Sequence, residues 1–405
     1  MCIHKKVLGT YHHLNFFSET SQIQWSLEKP DRAWVLGPDK GDLCLKELVQ
    51  LSGLDFPNVI PEKFRQSFNS LDLKVDNPPW HMCMPTEAFK ESVQNVIRVF
   101  QRAVECLAKT DYIETFMSGQ EVHLGLSRAL VNEKLISKYM DESSSGPSTV
   151  SSLKSFVPDA SGMSNPIRYT QTKTATGRLI VKEGPSILTL AARHRNILKS
   201  KHSRGSIVQL DFVSLEPRVC RYVMGHDAPP DIYQHISKKI LGSRHDRKIV
   251  KLSVLCALYG VSLKKLSGML GSDSEARSIV RSVRKYFSVE SLERSLRGEL
   301  VTSKHITNHF GRQLKTDVFD AHVLVSHFIQ SSAVDVALLG FHEIMKSIRA
   351  TEHDIDPIFI IHDAILFDSS AAGVEILKNI AAAGALIDMG HFPMTMDIIS
   401  SRNDI

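Results

Sequence analysis

Two hydrophobic periods alternate along this chain, in separate stretches. Ile358–Asp368 (IFIIHDAILFD) holds two runs of β-branched and aromatic residues around a polar pair, His362-Asp363. The runs Ile358–Ile361 and Ile365–Phe367 predict two strands, with the polar pair at or near their turn. Ile207–Phe212 (IVQLDF) predicts a further short strand, ending in an acid, Asp211. Helical spacing opens at Thr86, where Phe89, Val93, Val96, Ile97, Phe100, Val104 and Leu107 recur at three- and four-residue intervals. That is an amphipathic helix with Thr86 as its N-cap and Glu87 in its first turn. Further helices are predicted over Glu121–Tyr139, Arg218–Met224 and Arg247–Tyr259, the last ended by Gly260, and a long one over Asp317–Ile348. Asp141–Ser152 (DESSSGPSTVSS) is too rich in Ser, Gly and Pro to bury a core and predicts a mobile loop. Residues 1–60 follow neither period, and the stretch after Asp368 is Ala-rich, ending in a strand near Met394–Ile399.

With 405 residues, the chain is long enough for two or three subdomains around a sizeable core. No apolar run reaches the ~18 residues of a membrane span, so no membrane partner is expected. The N-terminus lacks an apolar stretch followed by small residues, so no secretory signal is expected; a mitochondrial presequence is only weakly suggested. Six scattered cysteines without a CxxC pair give neither a zinc site nor a disulfide framework. The expectation is a reducing compartment: the cytoplasm, or a host's cytoplasm if a phage encodes the chain, with an organelle left open. The net charge of +5 is only mildly basic. Its placement says more, because Arg193–Arg204, Arg244–Lys251 and Arg281–Lys285 are basic clusters. They suit a polyanion partner, or else solvated faces.

Several residues carry candidate chemistry. Asp211 stands at a strand end and Glu216 in the element that follows, so both can line one cleft; a strand-end Asp is also a common cap. Arg247, Lys251, Leu255 and Tyr259 are spaced by four and form one stripe of a helix. Its cationic end could clamp a triphosphate and its other end cover a base, or the stripe could simply be a surface. Thr174–Ile180 (TATGRLI) offers a turn at Gly177 and the planar donor head of Arg178, with Thr176 beside it, fit for phosphate or base-edge contact or for an ordinary turn. His322, Ser326 and Gln330 lie four apart on the long helix, able to read a groove or to meet solvent.

Taken together and in order, these motifs resemble family A DNA polymerases, the group of bacterial DNA polymerase I and its phage relatives. TATGRL is followed by DFVSLEPR (Asp211–Arg218), by RxxxKxxxxxxxYG (Arg247–Gly260), by Gly311-Arg312, by IQSSAVDV (Ile329–Val336) and by His362-Asp363. The resemblance is close over 160–405 and, over 60–160, lies in helical character and position.

It implies an α+β fold shaped as a right hand: a palm of antiparallel strands from 161–230 and 340–405, helical fingers at 231–339, a helical thumb at 60–160, and a segment 1–60 of unassigned role. It implies template-directed DNA synthesis from dNTPs on a primer-template, without an exonuclease domain, with a separate exonuclease or processivity factor as a further partner. Phe17–Thr20 is similar to an acidic exonuclease motif, yet Phe17 stands where its first acid would be. The cofactor implied is Mg²⁺, two ions roughly 3.5–4 Å apart, held by the carboxylates of Asp211 and Asp363 and the main-chain carbonyl of Phe212. Lys251 would be the proton donor to pyrophosphate. Arg247, Lys251, Leu255, Tyr259 and Glu216 would hold the nucleotide, the last two closing around its sugar. Thr176, Arg178, Gln330 and His362 would hold DNA.

The chain departs from the pattern at Leu255, where an aromatic residue usually stacks on the base, and at Ala364, where an acid usually follows His-Asp. His322 and Ser326 replace an Arg and an Asn on the groove-reading helix, and Ile360 replaces a polar residue just before the His-Asp turn. These changes spare the metal ligands and imply a slower or less accurate enzyme. Two rivals remain: a single-subunit RNA polymerase, compatible with Leu255 but not with Glu216, and a primer-template binding module without catalysis.

Overall fold

The computed structural model describes residues 1–401 apart from 18–19, 31–32, 38, 40–43, 53, 55–65, 67–69, 72–78, 108–111, 143–145, 244, 261–262, 315, 317–319 and 352. The chain forms two compact units, Met1–Ile113 and Glu114–Ile405.

In the first unit, β1 (Cys2–Ile3), β2 (His13–Phe17), β3 (Gln22–Ser26) and β4 (Val35–Leu36) make a sheet of order β3-β2-β1-β4. β4 runs parallel to β1 and the other pairs are antiparallel. Helix α1 (Thr86–Leu107) packs its predicted apolar stripe in the same core, with Val96 and Phe100 buried and the rings of Phe16 and Phe100 edge to face. Strands this short carry too few alternations to stand out from sequence, and Ser18 and Glu19 of the exonuclease-like motif lie outside the described residues.

The second unit corrects two expectations. The helix predicted over Glu121–Tyr139 is the end of α2 (Tyr112–Leu124) and the whole of α3 (Glu133–Asp141), separated by a short strand at Leu130–Val131. Two features accompany the break, one tertiary and one local. A Cβ at Gly125 would lie 2.5 Å from Met345 Cε, and Asn132 caps the new helix by accepting from Leu135 N at 3.2 Å. The predicted loop Asp141–Ser152 contains the start of α4 (Pro147–Lys154), whose proline occupies the first turn, where its missing N–H is harmless; residues 143–145 lie outside the described residues.

The main sheet follows the predicted strands closely. It consists of β5 (Ser206–Phe212), β6 (Ile355–Ile361), β7 (Ala364–Ser369) and β8 (Met394–Ser401), in the order β6-β7-β5-β8 and wholly antiparallel. Between β5 and β6 in sequence lie α5 (Leu215–Val223), α6 (Arg247–Tyr259), α7 (Asp273–Tyr286), α8 (Val289–Ser303) and α9 (Ala321–Arg349); α10 (Ala371–Ala383) follows β7. Asp246 caps α6 through Ile249 N, and Gly260 ends it in the left-handed region at φ 62°.

Helix α9 is the spine of this unit. Its N-terminal half, including Leu324, Phe328 and Ile329, packs with α6, α7 and α8. Its C-terminal half, including Val336, Phe341 and Ile344, packs with the sheet. It is long and apolar enough to cross a membrane, but about two thirds of that stretch is buried inside the fold (67%), as befits a core helix. Gly340 lets it approach the sheet, since a Cβ there would sit 2.6 Å from Phe212 Cζ.

One carboxylate interrupts the apolar spine. Asp335 is 1% exposed, accepts from Asn308 Nδ2 at 2.7 Å and lies 3.8 Å from Arg312 Nε. The Arg312 guanidinium in turn covers Gly177, where a Cβ would meet it at 2.3 Å. The Gly-Arg turn read from sequence is therefore a strut that ties the TATGRL segment to α9. Asp335→Ala should lower the unfolding free energy by about 3 kcal/mol, because it removes a buried carboxylate that accepts from the Asn308 amide and lies beside the Arg312 guanidinium. Urea denaturation at pH 7 checks this.

Candidate active site

The site forms where β5 ends. Ile361 pairs with Ala364, so His362 and Asp363 are the two turn residues of the β6–β7 hairpin, and Ala364 stands opposite Asp211 on β5. The N–H of Phe212 donates to the Asp363 carbonyl at 3.2 Å. Two non-glycine residues in the left-handed region flank the carboxylates: His362 at φ 56° and Ser214 at φ 53°. Strain of this kind persists only where the surroundings fix it. Ser214 turns the chain sharply from β5 into α5 and so brings Glu216, in the first helical turn, back to the mouth of the strand.

A cleft of about 340 Å³ opens there, lined among others by Asp211, Phe212, Ser214, Glu216, Tyr233, Lys251, Leu255, Tyr259 and Asp363. Seven residues proposed from sequence thus meet in one place. Glu216 is held from two sides: the Tyr259 hydroxyl donates to its Oε2 at 2.5 Å and Arg178 Nη2 to its Oε1 at 2.6 Å. Burial, then the Glu216 charge, pushes the Tyr259 phenol well above its ordinary pKa, so it stays a donor. Lys251 is exposed.

Four proposed contacts lie elsewhere. Arg247, at the start of the stripe, does not line the cleft; its Nη1 donates to Asp231 Oδ2 at 2.6 Å and its guanidinium lies over the Tyr233 ring. Thr176 is buried in its turn. Gln330 donates to Ser326 Oγ on its own helix at 3.0 Å. His362 is exposed at the hairpin tip. Arg178 joins the cleft only through Glu216.

Sequence reading missed Tyr233, Ser214 and Asp397. Tyr233 follows the helix-capping Asp231, a local signal that locates a helix but not the cleft it faces. On β8, Thr395 pairs with Asp211 and Asp397 with Gln209, which puts Asp397 diagonally beside Asp211 on the same face of the sheet. Its strand was legible; its partner strand was not.

Electrostatics fit the pair to a hard divalent cation. Burial, then the charges of Asp363 and Asp397, pushes the Asp211 carboxyl up to about 7, against the pull of Arg195. Burial raises Asp363 as well. A cation with oxygen affinity relieves this crowding. Among the described residues no group of three or more His, Cys, Asp or Glu side chains converges on a metal-sized site. Two carboxylates beside an open cleft suit Mg²⁺, which keeps waters and takes phosphate oxygens as further ligands.

A stability test follows from the sign of the shift. The folded-state pKa of Asp211 lies above the unfolded value of about 3.9, so the folded protein loses stability as pH rises from about 4 to 7 and stays lowered above that. In metal-free buffer, Asp211→Asn should be more stable than wild type at pH 8, by about 1–2 kcal/mol after solvent screening, and equal to it near pH 4. Mg²⁺ should raise the melting temperature of wild type at pH 8 and not that of the variant.

Residues 126–386 match the model of DNA polymerase family A. That span contains Arg178, Asp211, Lys251, Tyr259 and Asp363. No curated protein matches the chain. Among solved structures, the POL domain of Pol1 from M. smegmatis, in complex with DNA primer-template and dNTP, is similar in fold, with a TM-score of 0.52 and 15% identity. The match covers 87% of this chain and 62% of that one, so this chain spans under two thirds of its length.

Proposed function

The chain belongs to DNA polymerase family A, and from that premise we propose that it adds deoxynucleotides to a primer 3′ end on a DNA template, releasing pyrophosphate. The observation that carries this reading is the convergence of Asp211, at the end of β5, and Asp363, in the turn of the adjoining hairpin, across a cleft from Lys251, Tyr259 and Glu216.

On this reading Asp211, Asp363 and the main-chain carbonyl of Phe212 would hold Mg²⁺, which when bound supplies charge stabilisation at the reacting phosphate and a more acidic primer hydroxyl. Lys251 neutralises the triphosphate and is placed to give a proton to pyrophosphate as it leaves. Tyr259, fixed by Glu216, fills the space beside the sugar. Leu255 offers the base an aliphatic surface. Arg178, Thr176, Gln330 and His362 lie on segments that can meet the primer terminus and the minor groove. In the right-hand scheme, the sheet of β5 to β8 is the palm, α6 to α8 belong to the fingers, and the thumb falls within 60–160.

Primer extension with Mg²⁺ tests the proposal. Wild type should extend a primed template with dNTPs in preference to rNTPs, and Asp211→Ala should not. Failure of wild type to extend under varied salt and metal would overturn it, and preference for rNTPs would move the chain to the RNA polymerases.

A further inference from the structure

Arg247 and Lys251 are one helical turn apart on the same face of α6, yet they are held differently. Lys251 lines the cleft and, among the described residues, has no ion-pair partner. Arg247 is paired with Asp231 at 2.6 Å and lies over Tyr233, whose ring belongs to the cleft wall. The contact occurs at the rim, with side chains 60% and 39% exposed, where an incoming polyanion can compete for the guanidinium.

Resting on the nucleotide-cleft reading, we infer that Asp231 is a positioning residue that parks Arg247 at the rim until a polyphosphate displaces it, so that it sets nucleotide affinity through Arg247. The local geometry carries this. Asp231 is the internal anion matched to the cation that the stripe offers a triphosphate. Its two oxygens do separate work: Oδ1 accepts from Gln234 N at 2.9 Å and caps the short helix Ile232–His235, while Oδ2 accepts from Arg247. Burial alone would raise the Asp231 carboxyl, but the bonds from Gln234 and Arg247 outweigh it, so the group is charged when the cleft is open. The stacked Tyr233 keeps Arg247 near the cleft once it is released. Exchange of one anion for another involves no new buried charge, which suits a contact made and broken in every cycle.

The separate oxygens allow a clean test, because Asp231→Asn keeps a helix cap and the side-chain shape while losing the charge. Binding of inorganic tripolyphosphate in Mg²⁺ buffer would be measured calorimetrically on the full chain. Asp231→Asn should bind about two- to fivefold tighter than wild type, the range an exposed ion pair supports. Arg247→Ala should bind more weakly, and adding Asp231→Asn to it should change nothing. In primer extension, Asp231→Asn should lower the KM for dNTP by a similar factor with kcat unchanged. Equal or weaker binding by Asp231→Asn, or a gain that survives in Arg247→Ala, would overturn the inference while leaving the cleft assignment intact. Absence of tripolyphosphate binding by wild type would overturn both.

Discussion

Asp363→Ala is expected to slow single-nucleotide incorporation by at least about a thousandfold, equivalent to about 4 kcal/mol of lost transition-state stabilisation. Affinity for primer-template should change less than about threefold, because duplex grip in such proteins is dominated by phosphate contacts outside the reacting centre. The fold should survive. The bond that ties the hairpin tip to β5 uses the Asp363 carbonyl, not its side chain. The side chain is pushed toward neutrality by burial, so its removal relieves charge crowding in the metal-free protein. Loss of rate with intact binding and an unchanged melting curve separates catalysis from the binding-module reading. Quenched-flow incorporation and a filter-binding isotherm measure the two quantities. If wild type and variant bind alike and neither ever extends a primer, the chain is a binding module.

What could be read from sequence, and what could not, divides along physical lines. Two continuous runs of β-branched and aromatic residues in IFIIHDAILFD located β6, β7 and the turn between them, because strands buried on both faces read as unbroken apolar runs and the polar pair marks the turn. The four-residue stripe located α6 and Gly260 its stop, while its cap, Asp246, was not read. Both signals are local. The break after α2 is only partly so: the Asn132 cap is local, whereas the packing of Met345 against Gly125 comes from far along the chain. The start of α4 was hidden because Gly146-Pro147 reads equally as loop and as helix start. The site divides in the same way. Helical spacing puts Arg247 in line with Lys251, but only the tertiary contact with Asp231 decides where its guanidinium rests. Asp397 was hidden because pairing of β8 with β5 joins residues nearly two hundred positions apart (Thr395 with Asp211). Ala364 was read as a missing acid; the register adds that it stands directly across from Asp211, so the lost charge is one that would have crowded the carboxylate further.

Glu216→Ala should lower discrimination against ribonucleotides by about a hundredfold, read as the ratio of kcat/KM for a dNTP to that for the matching rNTP. A site that rejects a substrate for one added hydroxyl does so by occupying the space the hydroxyl would need, and rejection of that kind is of order a hundredfold. Here the occupant is a pair. The Glu216 carboxylate receives the Tyr259 hydroxyl at 2.5 Å and Arg178 at 2.6 Å, so on the proposed reading the wall beside the sugar would be held from both sides. Alanine at 216 removes the carboxylate, leaves the buried phenol without its acceptor, and frees the Tyr259 ring to turn aside. Tyr259→Phe keeps the ring and loses only the bond, so its ratio should fall merely a few-fold. The order of the two variants is the sharper test. A larger effect from Tyr259→Phe would mean that the hydroxyl itself contacts the sugar. An unchanged ratio in Glu216→Ala would mean that the wall lies elsewhere in the cleft, and Leu255, one turn before Tyr259 on the same face, would be the next residue to exchange.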